Sequence, residues 1–591
     1  MAWSKTNWPK FCSVLIEERG LCFDVLTSPR EVERAAANYT AALHSAIAEA
    51  VPQINPRRSK RPRGWWNTEL DRMSQTVKCL QDRARQNPTD TSLAAEARAA
   101  RNSRRNAVRA AEQGYLMLKL QATSQAEVWK VLKGAQPAHT RAIPDLNGPN
   151  VPNGLNGPNG PNGPNGLNGL NGPNGLNGQT SMKFTEKCAA LRNALFPPPT
   201  AGDDIPALRP PNMDMRTEFS EITSAEVTRA ISRCNKRSAS GQDRVPYSVI
   251  EKAHRHLPAL LPDLFTASIR TGHFPGAWKH ANCVVIPRGG RRDPSVPKSY
   301  HPISLLSNIS KVLEKLIAKR TADAALRVGA LSNTQFGAVE NRSAIDALFA
   351  ILHPTSDALA TPAGSKKIRP DRPTFLANDI QGAFNNTDPA RLVKIMETRC
   401  MPRYLTRWTS SFTADRTMSF CFDNSKEPPQ PYDSGLPQGS PVSPVLFLIY
   451  AQAMLEAPSY FKDIDVSYMD DNGALQLATT QTFAIRRLQE RMELRLQRGA
   501  QLNLPYDLGK AGLIHIWPLY SSKRPADATS QPPITMENKV AKPSASISAW
   551  ESTSTTRSHS MPIPMRQPRE GTSALDSCLP SATDTEDCQP T

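Results

Sequence analysis

Residues Leu146 to Gly178 repeat the triplets Asn-Gly-Pro and Asn-Gly-Leu almost without interruption. Glycine at nearly every third position invites a collagen helix, which needs it at every third. The register breaks at Val151, Asn dominates the third position, and the run is short. Asn-Gly and Pro are turn formers, so a flexible, turn-rich linker is expected, with a folded part on either side.

Residues 1–145, ahead of the linker, read as helical and basic. The stretch Ser92 to Ala122 is rich in Ala, Arg, Glu and Leu, all strong helix formers. Arg57, Arg58, Lys60, Arg61 and Arg63 form a dense cationic run. It suits a nuclear-import signal or a strip that contacts phosphates, and a plain solvated charge run is equally compatible. Residues 179–219 read as a connector. Residues 220–517 return to a globular pattern. Thr223 and Glu226 form a capping box ahead of Val227, Ala230, Ile231 and Cys234, which marks an amphipathic helix. Asp388-Pro389 reads as an N-cap and first helical residue. Residues 518–591 are rich in Ser, Thr, Pro and Asp, and are expected to be a disordered tail.

Charge narrows the partners. The 591 residues carry 72 Lys and Arg against 54 Asp and Glu, a formal +18, which favours polyanions and nucleic acid first. Ten cysteines run from Cys12 to Cys588 without a CxxC pair, which argues against zinc ribbons, zinc knuckles and disulfide scaffolds. Reduced intracellular thiols, in nucleus or cytoplasm, are the expectation. No secretory signal opens the chain. The longest apolar stretch, Val445 to Leu455, is too short to span a bilayer and reads as a buried helix, so no membrane partner is expected.

Two acidic segments carry the chemistry. Phe375 to Phe384 (FLANDIQGAF) reads as a strand running through Asp379 into a turn. Asp465 to Gly473 (DVSYMDDNG) leads apolar residues to Asp470 and Asp471, and Asn472-Gly473 follows as a hairpin signal. Adjacent carboxylates repel unless a cation lies between them. Mg²⁺ prefers carboxylate oxygens and leaves positions open for phosphates. Asp379 joining Asp470 would form a two-metal clamp, with ions about 3.5–4 Å apart. The competing structural roles are a turn tip for Asp470-Asp471 and a helix cap for Asp379.

Read in order, the segments resemble the reverse transcriptases of non-LTR, LINE-like retrotransposons. The resemblance runs through Arg237 to Pro246 (RSASGQDRVP), Phe274 to Lys279 (FPGAWK), Val284 to Arg288 (VVIPR) and Ser299 to Leu306 (SYHPISLL). It continues through Gln335-Phe336-Gly337, Asp346-Ala347-Leu348, Asp379 to Phe384, Gly435 to Pro444 (GLPQGSPVSP), Tyr468 to Asp471 (YMDD) and Leu508 to Trp517. Trp65-Trp66 and the helical stretch after them match the segment that precedes this domain in such elements.

The resemblance implies an α/β fold, a right-hand polymerase with α+β palm and fingers behind a helical N-terminal extension. It implies RNA-directed DNA polymerisation, with an RNA template, a DNA primer and dNTPs as partners. Two Mg²⁺ ions, or Mn²⁺ in their place, are the implied cofactors. Asp379 and Asp470 would be the principal metal ligands, with Asp471 assisting. Phe384 would lie under the incoming sugar and reject a ribose 2′-OH, or else pack in the core. Gln438 and the Gly439 turn would face the nucleotide, or form an ordinary Pro-Gln-Gly turn. Tyr468 and Met469 would support the primer end, or serve as strand core. Arg288 would offer its guanidinium to the triphosphate, or stand as a solvated hairpin charge. Lys510 would act as an acid toward pyrophosphate, or lie exposed.

The chain departs from the family at His301, where an arginine usually contacts the triphosphate, and at Asn385, where an aspartate is usual. No endonuclease is expected ahead of the domain, no HxxC or CCHC element behind it, and no helical thumb after Trp517. These departures keep an alternative open, a decayed, catalytically weak or dead remnant that still binds nucleic acid.

Overall fold

The computed structural model describes residues 3–17, 26–52, 68–86, 90–121, 143, 146, 182–197, 202, 204–236, 238–288, 293–360, 371–423, 425–432, 434–456, 463–517, 532–537 and 539–544. The basic run at Arg57 to Arg63 and nearly all of the 146–178 repeat lie outside these residues. They divide into two compact units. One comprises Met1–Glu18, His44–Ile143 and Phe422–Ser425, and the other holds the remainder.

The described residues of the N-terminal region are largely helical, as their composition dictates. The helices are α1 (Trp8–Glu17), α2 (Pro29–Ala50), α3 (Thr68–Gln86) and α4 (Thr91–Gln121). Helix α2 buries Val32, Ala35, Ala36, Tyr39, Leu43, Ala46 and Ile47, the three-and-four spacing of a single apolar face. In the first unit α3 and α4 pack together, and Arg104 Nε donates to Ser74 Oγ at 2.8 Å. In the connector, α5 (Phe184–Leu195) buries Cys188, Leu191 and Leu195.

The larger unit is built on two sheets. Ahead of the first come α6 (Ser224–Ser232), α7 (Tyr247–His256) and α8 (Leu260–Thr271). The Thr223–Glu226 capping box that opens α6 is formed in both directions. The first sheet pairs β1 (His280–Pro287) antiparallel with β2 (Tyr300–Leu305) and parallel with β4 (Thr417–Phe422). Short strands β5 (Ser425–Lys426) and β6 (Gln430–Pro431) complete it. Behind β2 runs α9 (Asn308–Val328), largely buried, as its apolar spacing requires.

The second sheet has the order β7-β8-β3-β9 and is antiparallel throughout: β7 (Asp463–Tyr468), β8 (Asp471–Ala478), β3 (Arg372–Asp379), β9 (Gly512–His515). Strand side chains alternate between faces, so β3 serves two helices. Phe375 packs with Leu475, Val466 and Ile514 against α10 (Ala344–Leu359), through Ala347 and Ile351. On the other face Asn378 meets Met492 of α15 (Gln481–Gln501). Between α10 and α15 the chain forms α11 (Ala383–Asn386), α12 (Pro389–Thr398), α13 (Arg403–Thr413) and α14 (Ser443–Leu455). Asp388 caps α12 through its carboxylate and the Arg391 amide, 3.0 Å apart. The apolar stretch at Val445–Leu455 is almost wholly buried in α14.

The stretch read as a disordered tail carries local order at 532–544. There β10 (Ile534–Met536) and β11 (Lys539–Ala541) form a hairpin that buries Ile534 and Met536. Two apolar side chains on alternate positions supplied enough burial to fix it. The rest of that tail lies outside the described residues. Among the described residues, no helix is long and apolar enough to cross a membrane.

Candidate active site

Strand β3 enters the site because Pro373 to Leu376 form a buried run, apolar but for Thr374, in a strand that pairs on both sides. It ends at Asp379, where burial relaxes to partial. Its Cα partner across the ladder is Asp471. The Ile380 amide donates to the Asp470 carbonyl at 3.1 Å, and the Asp507 amide donates to the Asp379 carbonyl at 2.8 Å. Main-chain bonds therefore fix the end of β3 to the β7-β8 hairpin on one side and to the Asp507 segment on the other.

The hairpin turn is Met469-Asp470, since Tyr468 pairs directly with Asp471. Met469 takes φ 60°, and Asp470 has no positive φ. That is the pattern of a type II′ turn, whose first position usually goes to glycine. The turn thus lies one residue before the expected Asp470-Asp471 tip, and the Asn472-Gly473 pair that signals a hairpin lies inside β8. A Cβ on Gly473 would sit 2.6 Å from two ring carbons of Phe375, so glycine is kept there for the close ring, not for a bend. Asn472 accepts from Ser467 Oγ at 2.9 Å and donates to the Asp470 carbonyl at 3.0 Å, which braces the turn from below.

Burial, then the charge of Asp379, push the Asp470 carboxyl up to about 6, against the opposing charges of Lys510 and Arg288. Lys510 Nζ is bonded to Asp379 Oδ2 and lies 3.6 Å from Asp507. Burial lowers the ammonium, but the bond to Asp379 and the charges of Asp379 and Asp507 leave it raised overall. Among the described residues no three His, Cys, Asp or Glu side chains converge to hold an ion. Asp379 faces Asp471 across the ladder and feels the charge of Asp470, and Lys510 is the neighbouring cation. The two like charges oppose each other, and the Lys510 ammonium offsets them. The raised Asp470 carboxyl beside an Asp379 that holds an ammonium fits a site for a divalent ion.

The other expected residues fall around this pair. Arg288 follows β1, its amide bonded to the Ser299 carbonyl at 2.8 Å, and its charge reaches Asp470. His301 lies on β2 opposite Ile286. Phe384 is half-buried, its ring centroid 5.6 Å from that of Phe447, so it packs on α14 while keeping an open edge. The Phe384 carbonyl accepts from the Leu436 amide at 2.7 Å, and a Cβ on Gly435 would strike that same carbonyl at 2.7 Å. Gln438 accepts from the Ser304 amide at 2.7 Å through its carbonyl. Gly439, at φ 124°, approaches the Ser304 carbonyl so closely that a Cβ would lie 2.5 Å away. Asn385 donates to the Leu195 carbonyl at 2.6 Å, a tie to α5 that explains a polar residue there without metal binding.

One contributor was missed. Gln335 is buried, and its side-chain oxygen accepts from the Gly337 amide at 2.8 Å and the Met469 amide at 3.3 Å. Residues 334–336 run beside β7: the Ser467 amide donates to Thr334 and the Phe336 amide donates to Ser467. The Gln-Phe-Gly segment thus props the β7-β8 hairpin from outside. Its sequence was visible, but nothing local tied it to Met469.

Residues 286–515 match the family model for reverse transcriptase (RNA-dependent DNA polymerase). The chain is 27% identical over 291 residues to the RNA-directed DNA polymerase from mobile element jockey of Drosophila melanogaster, covering 47% of this chain and 30% of that protein. It is 27% identical over 285 residues to a probable RNA-directed DNA polymerase from transposon BS of the same species, with the same coverage. It is 25% identical over 339 residues to a Pol polyprotein from the type-1 retrotransposable element R1 of Bradysia coprophila, covering 57% of this chain and 32% of that protein. The chain therefore spans about a third of the length of these curated relatives. Residues 286–515, which hold both acidic segments, are thus similar to the reverse transcriptases of LINE-like, non-LTR retrotransposons.

Proposed function

We propose that the chain is an RNA-directed DNA polymerase, adding deoxynucleotides to a primer 3′-OH on an RNA template. The observation that carries this reading is Asp379 at the end of β3, hydrogen-bonded through its neighbour to Asp470 in the hairpin turn, with Arg288 and Lys510 within electrostatic reach. Asp379 and Asp470 would hold divalent ions, Mg²⁺ or Mn²⁺, which when bound supply activation of the 3′-OH and neutralise the leaving pyrophosphate. Asp471, across the ladder from Asp379, would assist. Arg288 would take the triphosphate with a planar fork of donors. Lys510, released from Asp379 by the ions, would protonate the departing pyrophosphate. Phe384 would set the floor of the sugar pocket, and Gln438 with Gly439 its wall. Tyr468 and Met469 would back the primer end. The cations at Arg57 to Arg63 would grip RNA phosphates, with an affinity that falls steeply with salt.

Primer extension on poly-rA/oligo-dT tests the reading, with wild type and Asp470→Asn side by side. Mg²⁺-dependent synthesis in wild type and none in the variant is expected. One observation favours a second reading, a remnant that binds nucleic acid without catalysis: neutral imidazole at His301 is a poorer phosphate ligand than arginine. Silence in both proteins, with RNA binding retained, would decide for the remnant.

A further inference from the structure

Three segments far apart in sequence converge on a buried polar cluster behind the nucleotide loop. Glu314, on α9, is 1% exposed. Its Oε1 accepts from Ser310 Oγ at 2.8 Å, and its Oε2 accepts from Ser440 Oγ. Ser440 follows Gly439 directly, and its hydroxyl oxygen takes the Val442 amide at 3.2 Å. With that lone pair committed, the hydroxyl proton is directed at Glu314. Arg416, itself buried, adds a favourable charge, although burial still leaves the Glu314 carboxyl raised. The neighbouring Ser307 donates to Asp243 Oδ2 at 2.5 Å, and a Cβ on Gly241 would strike the Leu306 carbonyl carbon at 2.5 Å. On the other side of the loop, the Ser304 amide holds the Gln438 carbonyl at 2.7 Å.

A buried carboxylate is costly unless its bonds are all made, and such a group is worth keeping only where it fixes a geometry. Hydrophobic residues could fill the same volume. What they could not do is orient the hydroxyl that begins the 440–442 turn. We propose that Glu314 is a positioning residue for the nucleotide loop: through Ser440 it holds Gln438 and Gly439 in the conformation that receives the incoming dNTP. The inference rests on the polymerase reading for its ligand, but the anchoring itself does not.

The test uses the full chain, as wild type, Glu314→Ala, Glu314→Gln and Ser440→Ala. Amide exchange by mass spectrometry over residues 436–442 reads the anchor directly. Extension with varied dTTP reads its consequence. Faster exchange confined to 436–442 is expected in Glu314→Ala and Ser440→Ala. The KM for dTTP is expected to rise about tenfold, the scale of one hydrogen bond to a charged group, with kcat changed far less. Glu314→Gln keeps an acceptor and should fall between. Unchanged exchange in a folded variant would overturn the proposal, whether or not the protein polymerises. An unchanged KM in an active variant would overturn it too. If Glu314→Ala fails to fold, Ser440→Ala decides by the same readings. A wild type that makes no DNA sinks the polymerase reading, while the exchange measurement still judges the anchor.

Discussion

Replacing Asp470 by Asn removes one charge from the carboxylate pair and leaves the hairpin's shape almost untouched. In the folded, metal-free protein this carboxyl is pushed up to about 6, by burial first and by Asp379 second. In the unfolded chain it returns to about 3.9. The folded state therefore holds the proton more tightly. The stability this lends is complete below about pH 4 and is lost as pH rises through about 6. Above that, the ionised carboxylate carries its full penalty. At about 1.4 kcal/mol for each pKa unit the ceiling is about 3 kcal/mol. Asp470 keeps some exposed surface, and solvent screening should bring this to about 1–2 kcal/mol. Asn resembles the protonated acid at every pH, so the variant should be more stable than wild type near neutrality. A gain of about 2–4 °C in Tm per kcal/mol is expected for a domain of this size. Thermal unfolding in EDTA, from about pH 4 to about pH 8, measures it. The advantage should shrink steadily as pH falls. A variant no more stable than wild type at neutral pH, or an advantage independent of pH, would refute the account of a repelling, buried pair.

Gly473→Ala should cost about 1–3 kcal/mol, because the new methyl group meets the ring of a core phenylalanine that has nowhere to move; urea unfolding with an unchanged midpoint would count against this. Gln335→Leu strands the Gly337 and Met469 amides and should cost about 1–3 kcal/mol, with a higher Mg²⁺ requirement for extension. A Mg²⁺ titration that superimposes on wild type would remove Gln335 from the support of the hairpin. His301→Arg should lower the KM for dNTPs about tenfold by restoring a charged fork toward phosphate. A KM unchanged or higher would place His301 outside the triphosphate path.

Much of the framework was legible in the sequence because its causes are local. The Thr223–Glu226 box and the Asp388 cap join residues three apart, and adjacency alone nearly guarantees those bonds. The Phe375-Leu376-Ala377 segment before Asp379 and the buried helix at Val445–Leu455 follow from period and composition. Motif order placed Asp379 and Asp470 in one site. Three features needed the folded chain. The turn falls at Met469-Asp470 because cross-strand pairing with β3 and the prop from Gln335 set the register, overriding the stronger local turn signal of Asn472-Gly473. Lys510 meets Asp379 across 131 residues, and Ser440 meets Glu314 across 126. A sequence states which groups are charged or polar. Which of them share a low-dielectric space depends on how sheets and helices close around it, and there the long-range pairs are chosen by the burial cost of leaving any of them alone.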